Sequence, residues 1–174
     1  SLARTLLERD PAMVVLELSS FQLDGMEQFR CNVGILTNIT PDHLDRYDYK
    51  FQNYINSKFR IVQNQTSDDA FIYSVDDPVT VNNLPKFPVL SERFAFSILK
   101  EGPARVSNGQ LVIDAAGKHL SMPLTELSLK GKHNLYNAMA AGTAALIAGA
   151  SVEQVVHGLS TFGGVEHRLE AADT

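Results

Sequence analysis

Two short apolar runs without alternation constrain this chain most: Met13–Leu18 (MVVLEL) and Val33–Leu36 (VGIL). A strand with one wet face alternates apolar and polar residues, whereas a strand covered on both faces reads as a continuous apolar run, the pattern of a parallel sheet. Phe71–Val75 adds a third such run. Between the second and third lies Lys50–Gln65, where Phe51, Tyr54, Ile55, Phe59 and Val62 recur at helical intervals. Strand, helix, strand in that order is an α/β crossover, and it predicts a mostly parallel sheet flanked by helices.

From Leu90 to Thr125 the pattern changes. Short candidate strands, Arg93–Ser97 and Leu111–Asp114 among them, are punctuated by Asn108-Gly109 and Ala116-Gly117, which suit tight turns. This stretch predicts antiparallel hairpins forming a small β subdomain on the edge of the domain. Beyond Gly131, Asn134–Ala148 is rich in alanine and predicts a helix that its neighbours can approach closely. A second helix follows, opened by Ser151 with Gln154 three residues on, a capping box ahead of Val155 and Val156. Asp76-Asp77-Pro78 reads as a turn after the third strand.

A length of 174 residues with 44% hydrophobic and 20% charged content predicts one soluble domain able to bury a core. The net charge of -5 is the wrong sign for coating nucleic-acid phosphates, so no nucleic-acid partner is expected and any anion must be held locally. Cys31 is the only cysteine, which excludes a disulfide within the chain and fits a reducing cytoplasm. No run approaches the roughly 18 apolar residues of a membrane-spanning helix, and no signal-peptide pattern opens the chain, so no membrane partner is expected. Leu2, Leu6 and Leu7 already fall at helical spacing after Ser1, and the expectation is an N-terminus cut within a helix.

Chemistry-bearing residues gather where the apolar runs end, which is where open α/β sheets bind ligands. Glu17-Leu18-Ser19-Ser20-Phe21-Gln22-Leu23 offers a carboxylate, hydroxyls and an amide there, and reads equally as a Ser-rich helix cap. The second run leads into Thr37–Tyr47 (TNITPDHLDRY). Thr40 as N-cap with Pro41 at the first helical position would present Asp42 and His43 in a first turn, as ligands of a divalent metal or as part of a solvated cap. Lys58 falls within the apolar sector of its helix, where leucine would be normal. Burial lowers an amine's pKa and leaves a neutral nucleophile able to take up carbon dioxide as a carbamate. A lysine that snorkels to the rim, or pairs with Glu17 or Asp42, fits the same pattern. Gly131–Asn137 (GKHNLYN) enters the alanine-rich helix with Asn134 and Asn137 on one face, placed for a base or phosphate, or as an N-cap and a solvated amide. His119 and His157 stand without partners in the sequence.

Taken in order, ELSSFQL, NITPDHLDRY, the helix carrying Lys58, GKHNLYNA and His167-Arg168-Leu169-Glu170 resemble the Mur ligase family over nearly the whole chain. The first motif is similar to the D-glutamate-adding branch of that family. The resemblance implies the family's P-loop NTPase-like central domain over residues 1–163, with 164–174 as the junction to a C-terminal domain. It also implies ATP-dependent ligation in peptidoglycan precursor synthesis. The γ-phosphoryl group would pass to the carboxylate of UDP-N-acetylmuramoyl-L-alanine, and the D-glutamate amine would attack the acyl phosphate. Two Mg2+ ions are implied, Glu17 matching the ligand of the ion shared with ATP, and His43 with a carbamate on Lys58 matching the surroundings of the second. Ser19 and Gln22 match positions near the muramoyl substrate, Asn134 and Asn137 positions near the nucleotide base, and Arg168 an arginine near the ATP phosphates. No G-x-x-x-x-G-K-[ST] occurs, since Gly131-Lys132 is followed by His133. The family places that phosphate loop before Ser1, so the expectation is a ligase fragment that does not turn over alone. Another Mur or folylpolyglutamate-type ligase, or a non-catalytic nucleotide-binding module, are the competing readings.

Overall fold

A computed structural model describes residues 12–163. Six strands form one sheet in sequence order: β1 (Val33–Leu36), β2 (Ala70–Ser74), β3 (Glu92–Ser97), β4 (Ala104–Ser107), β5 (Gln110–Ala115) and β6 (Lys118–Pro123). The pairs β1–β2, β2–β3 and β3–β4 are parallel, and β4–β5 and β5–β6 are antiparallel. Among the described residues five helices flank it: α1 (Ser20–Asp24), α2 (Phe51–Phe59), α3 (Pro78–Asn83), α4 (Lys132–Ile147) and α5 (Val152–Thr161). The mostly parallel α/β class is the one the sequence predicts, and the antiparallel hairpins continue the same sheet.

Successive strand residues point to opposite faces, so β2 feeds two cores. Ala70 and Ile72 join Phe94, Phe96, Ile113 and Leu120 beneath Met139 and Leu146 of α4 and Val155 of α5. Phe71 joins Leu36, the α2 residues Tyr54, Ile55 and Phe59, and Leu84 on the other face. Phe71 and Phe96 are wholly buried, each contributing on the order of 2–3 kcal/mol. Both hairpin turns have two consecutive residues in the left-handed region, Asn108 (φ 49) with Gly109 (φ 74) and Ala116 (φ 51) with Gly117 (φ 71), the mirror-type turn that matches strand twist. Ser151 and Gln154 form the expected capping box on α5, Ser151 N donating to Gln154 Oε1 at 2.8 Å and Gln154 N to Ser151 Oγ at 3.2 Å.

Four local expectations are corrected. Met13–Leu18 pairs with no strand among the described residues, and Met13 and Val15 are 59% and 91% exposed. A run that reads as a doubly covered strand needs neighbours to take its N–H and C=O groups, and none of the described strands does so. Arg93–Ser97 lies within β3, which runs parallel between β2 and β4 and is not part of a hairpin. Thr40 and Pro41 start no helix: His43 takes φ 48, and a 3-10 turn begins only at Leu44. Asp77 is the N-cap of α3, with Pro78 at its first position, so Asp76-Asp77-Pro78 opens a helix and is more than a turn. The junction 164–174, with Arg168 and the rest of its motif, lies outside the described residues.

Candidate active site

The first two motifs meet through an aromatic ring. Ser19 caps α1 in a capping box: Ser19 N donates to Gln22 Oε1 at 2.8 Å, and Gln22 N donates to Ser19 Oγ at 3.3 Å. A helix of one turn has little stability of its own. It is held by Arg60, whose Nε and Nη2 donate to the carbonyls of Leu23 (2.8 Å) and Met26 (2.9 Å), and by Ser57 Oγ, which donates to Ser20 O at 2.8 Å. Tyr47 OH donates to Asp24 Oδ2 at 2.9 Å. From α1 the Phe21 ring stacks on Tyr47 at 5.9 Å, meets the His43 ring edge-on at 5.4 Å and carries the Arg46 guanidinium 4.7 Å above its centroid. Phe21 was not among the sequence candidates, because a phenylalanine at the start of an apolar helix face announces nothing but core.

Asp42 and His43 lie exposed just before the 3-10 turn. Asp42 Oδ1 accepts from the His43 backbone N at 2.8 Å, and Asp42 Oδ2 lies 3.4 Å from His43 Nε2. Lys58 is half-buried on α2, its Nζ 5.5 Å from the Tyr54 ring centroid. Burial holds its amine below the usual lysine range, although the charges of Asp42 and Glu17 pull the other way. The structure therefore brings Glu17, Asp42 and Lys58 within electrostatic reach of one another. Among the described residues no carboxylate comes within ion-pair distance of Lys58. Nor do three or more His, Cys, Asp or Glu side chains gather as a metal cluster among them; the set expected from the sequence takes one donor from a modified lysine.

The second half of the candidate site sits on the other face of the sheet. Gly131, at φ 97, precedes α4 as its N-cap and offers no side-chain cap. Asn134 Nδ2 donates to Lys130 O at 2.8 Å, which ties it to the entering loop, while Asn137 is exposed. Both border a groove of about 990 Å³ along α4 and α5 that is lined mostly by small and apolar residues such as Ala138, Ala141, Val155 and Phe162. Tyr136, between the two asparagines in sequence, donates its OH to Asp76 Oδ2 at 2.9 Å.

Other residues take structural roles. His119 has a partner after all, its Nδ1 2.5 Å from Asp114 Oδ1, and Arg105 donates to the other oxygen of Asp114 at 2.8 Å. His157 is exposed. Burial pushes the Cys31 thiol up to about 11, and its Sγ donates to Ile61 O at 3.1 Å.

Comparison with known proteins adds three findings. The Mur ligase middle domain model matches residues 1–145. UDP-N-acetylmuramoylalanine--D-glutamate ligase from Christiangramia forsetii is 49% identical over 172 residues, covering 98% of this chain and 39% of that protein. The protein of the same name from Porphyromonas gingivalis is 40% identical over 178 residues, covering 98% of this chain and again 39% of the relative. This chain thus spans about two fifths of the length of these curated relatives. Among solved structures, a murein peptide ligase from Psychrobacter arcticus superimposes with a TM-score of 0.60 at 24% identity, covering 83% of this chain and 30% of that one. MurF from Acinetobacter baumannii gives 0.59 at 19% identity, over 82% and 32%. At these identities the structural matches establish the fold alone.

Proposed function

Because the chain belongs to the Mur ligase middle-domain family, we propose that the protein carrying it joins D-glutamate to UDP-N-acetylmuramoyl-L-alanine in the cytoplasm, driven by ATP. The observation that carries this reading is the half-buried Lys58 within electrostatic reach of Glu17 and Asp42, which come from two separate motifs that meet where Phe21 packs on His43. The relatives' shared name supplies the choice of amino acid and acceptor.

The residues fit Mg2+. It is a hard cation that takes oxygen ligands and keeps several waters, and Glu17 and Asp42 are exposed carboxylates whose charges both act on Lys58. A carbamate on Lys58 would add a third oxygen donor. Its formation joins the neutral amine nitrogen to the carbon of carbon dioxide and releases one proton. Burial favours it by raising the fraction of neutral amine at a given pH. Glu17, His43 and the carbamate of Lys58 would hold two ions, whose chemistry is to offset the negative charge gathered when a phosphoryl group meets a carboxylate.

The chain's other residues bind and orient. Ser19 and Gln22 face the muramoyl substrate in this reading, and the capping box that engages Ser19 Oγ and Gln22 Oε1 fixes both side chains at the start of α1. Asn134 and Asn137 take the nucleotide base, and Arg168 the phosphates. The γ-phosphoryl group passes to the substrate carboxylate, the amine of D-glutamate adds to the resulting acyl carbon, and phosphate leaves as the amide forms.

The test is phosphate release by the full-length protein given ATP and UDP-N-acetylmuramoyl-L-alanine, with and without D-glutamate. Release that depends on D-glutamate is expected, and its absence rejects the assignment. In the same assay Lys58→Ala should abolish turnover, with partial recovery on adding short carboxylates. Retained activity would remove Lys58 from the site.

A further inference from the structure

The alternation of β2 continues past the end of the strand. Ala70 and Ile72 face α4 and α5, whereas Phe71 faces α2. Asp76 keeps the parity of the first pair and Asp77 that of Phe71, and their hydrogen bonds divide the same way. Asp76 accepts from Tyr136 OH on α4 at 2.9 Å, from Ser97 Oγ at 2.6 Å and from Ile98 N at 2.8 Å. Asp77 Oδ2 accepts from Ile39 N at 3.2 Å, from Thr80 N at 2.9 Å and from Thr80 Oγ1 at 2.5 Å. Ile39 is 1% exposed and sits in the loop that leaves β1, three residues before Asp42. Tyr136 lies between Asn134 and Asn137 in a helix whose N-cap glycine provides no side-chain bond.

We propose that Asp76 and Asp77 are positioning residues that register the two halves of the ligase site on a single strand end. Asp77 fixes the loop carrying Asp42 and His43 against α2, and Asp76 fixes, through Tyr136, the start of α4, which carries Asn134 and Asn137. This rests on the ligase reading. Asp76 and Asp77 are adjacent in the short link between β2 and α3, and their carboxylates bond to groups on opposite faces of the sheet, so the metal side and the nucleotide side share one reference point. Burial alone would raise the Asp76 carboxyl, but the bonds from Ser97, Ile98 and Tyr136 outweigh it and hold it below the usual carboxylate range. Burial and the same bond push Tyr136 up to about 12, so the phenol donates to a charged carboxylate throughout the neutral range.

The experiment uses the full-length protein and reads four quantities for each variant: kcat, the KM for ATP, the Mg2+ concentration for half-maximal rate, and the Kd for ATP by equilibrium dialysis. Tyr136→Phe should raise both the ATP KM and the ATP Kd about fivefold to tenfold with kcat within about twofold of the parent, the size expected for one lost charge-assisted hydrogen bond. Asp77→Ala should lower kcat about tenfold and raise the Mg2+ requirement while the ATP Kd stays unchanged. Asp77→Asn keeps a carbonyl acceptor and should lie about threefold below the parent in kcat. A purely structural role predicts that both substitutions move the same quantities in proportion to lost stability, and that result overturns the proposal. Should Asp77→Ala fail to fold, Asp77→Asn decides, and parental kcat in it overturns the Asp77 half. If the parent shows no D-glutamate-dependent turnover, the ligase reading fails separately. The ATP Kd of Tyr136→Phe then decides the Asp76 half, an unchanged value or an absence of ATP binding by the parent overturning it.

Discussion

Replacing Lys58 by methionine should make the protein more stable and inactive at once. Lys58 is half-buried, and its amine is held below the ordinary 10.5 by desolvation that outweighs the attraction of Asp42 and Glu17, so folding carries a cost while the lysine stays charged. Methionine removes that cost. It also removes the ammonium's contact with the Tyr54 ring at 5.5 Å, worth about 0.5–1 kcal/mol, but a thioether on the same ring returns roughly 0.3–1.5 kcal/mol. Because half of the side chain meets water, screening limits the net gain to below about 1 kcal/mol, or roughly 2–4 °C in Tm at most. The pH dependence follows from the direction of the shift. The cost is fully present below the folded pKa and fades as the pH rises from there towards 10.5, where wild type sheds the proton in both states. Urea melts of the two proteins in carbon dioxide-depleted buffer at pH 7 and pH 10 should therefore show an advantage for Lys58→Met that shrinks at the higher pH. A variant less stable than wild type at pH 7, or an advantage that grows with pH, would refute the reasoning.

Gly142 on α4 meets the sheet so closely that an added Cβ would lie 2.7 Å from Ile113 Cδ1 and 3.4 Å from Val155 Cγ1. Gly142→Val should thus lose about 2–3 kcal/mol after its gain in helix propensity, and an unchanged Tm would contradict the packing. Ala116 takes φ 51 in an exposed type I′ turn, and Ala116→Asn should add about 0.5–1 kcal/mol in chemical denaturation; a loss would show that the turn differs. Cys31, with its thiol near 11, should react with iodoacetamide at pH 8 about 100-fold more slowly in the folded than in the unfolded chain, and equal rates would place it outside the fold.

The sequence was most legible where one local rule acts alone. The hairpin turns, the Ser151 capping box and the apolar stripe of α2 each follow from residues within a few positions of one another, and each appears as expected. Lys58 was legible for the same reason, since its angle on the helix is fixed by spacing. The misreadings come from partners that spacing does not reveal. Met13–Leu18 has the composition of an inner strand, but a strand exists only through its neighbours. Arg93–Ser97 sits near turn dipeptides, yet its register is set by β2, whose residues lie some twenty positions earlier. Asp76 and Asp77 looked like a turn because Asp-Pro is turn chemistry. Their roles depend on Tyr136 and Ile39, which only the folded sheet brings to them.

The division of the core explains why the site needs such ties. Lys58 stands on a helix fixed by the core of Phe71 and Phe59, and Asn134 and Asn137 on a helix fixed by the core of Phe96 and Met139. Apolar packing seats each helix on its own face of the sheet, and neither core by itself sets the position of one helix relative to the other. Hydrogen bonds to a carboxylate are directional and lose strength over a few tenths of an ångström. Placing two of them back to back just past β2 couples the faces through the link that continues a strand whose Phe71 and Ile72 are wholly buried on opposite sides. Glu17 lacks such a tie among the described residues. It belongs to a segment that pairs with none of the described strands, and the residues after it are held by Ser19's cap and by Phe21 against His43 and Tyr47. In the ligase reading its position relative to Lys58 is therefore set by aromatic contact and by the α1–α2 bonds.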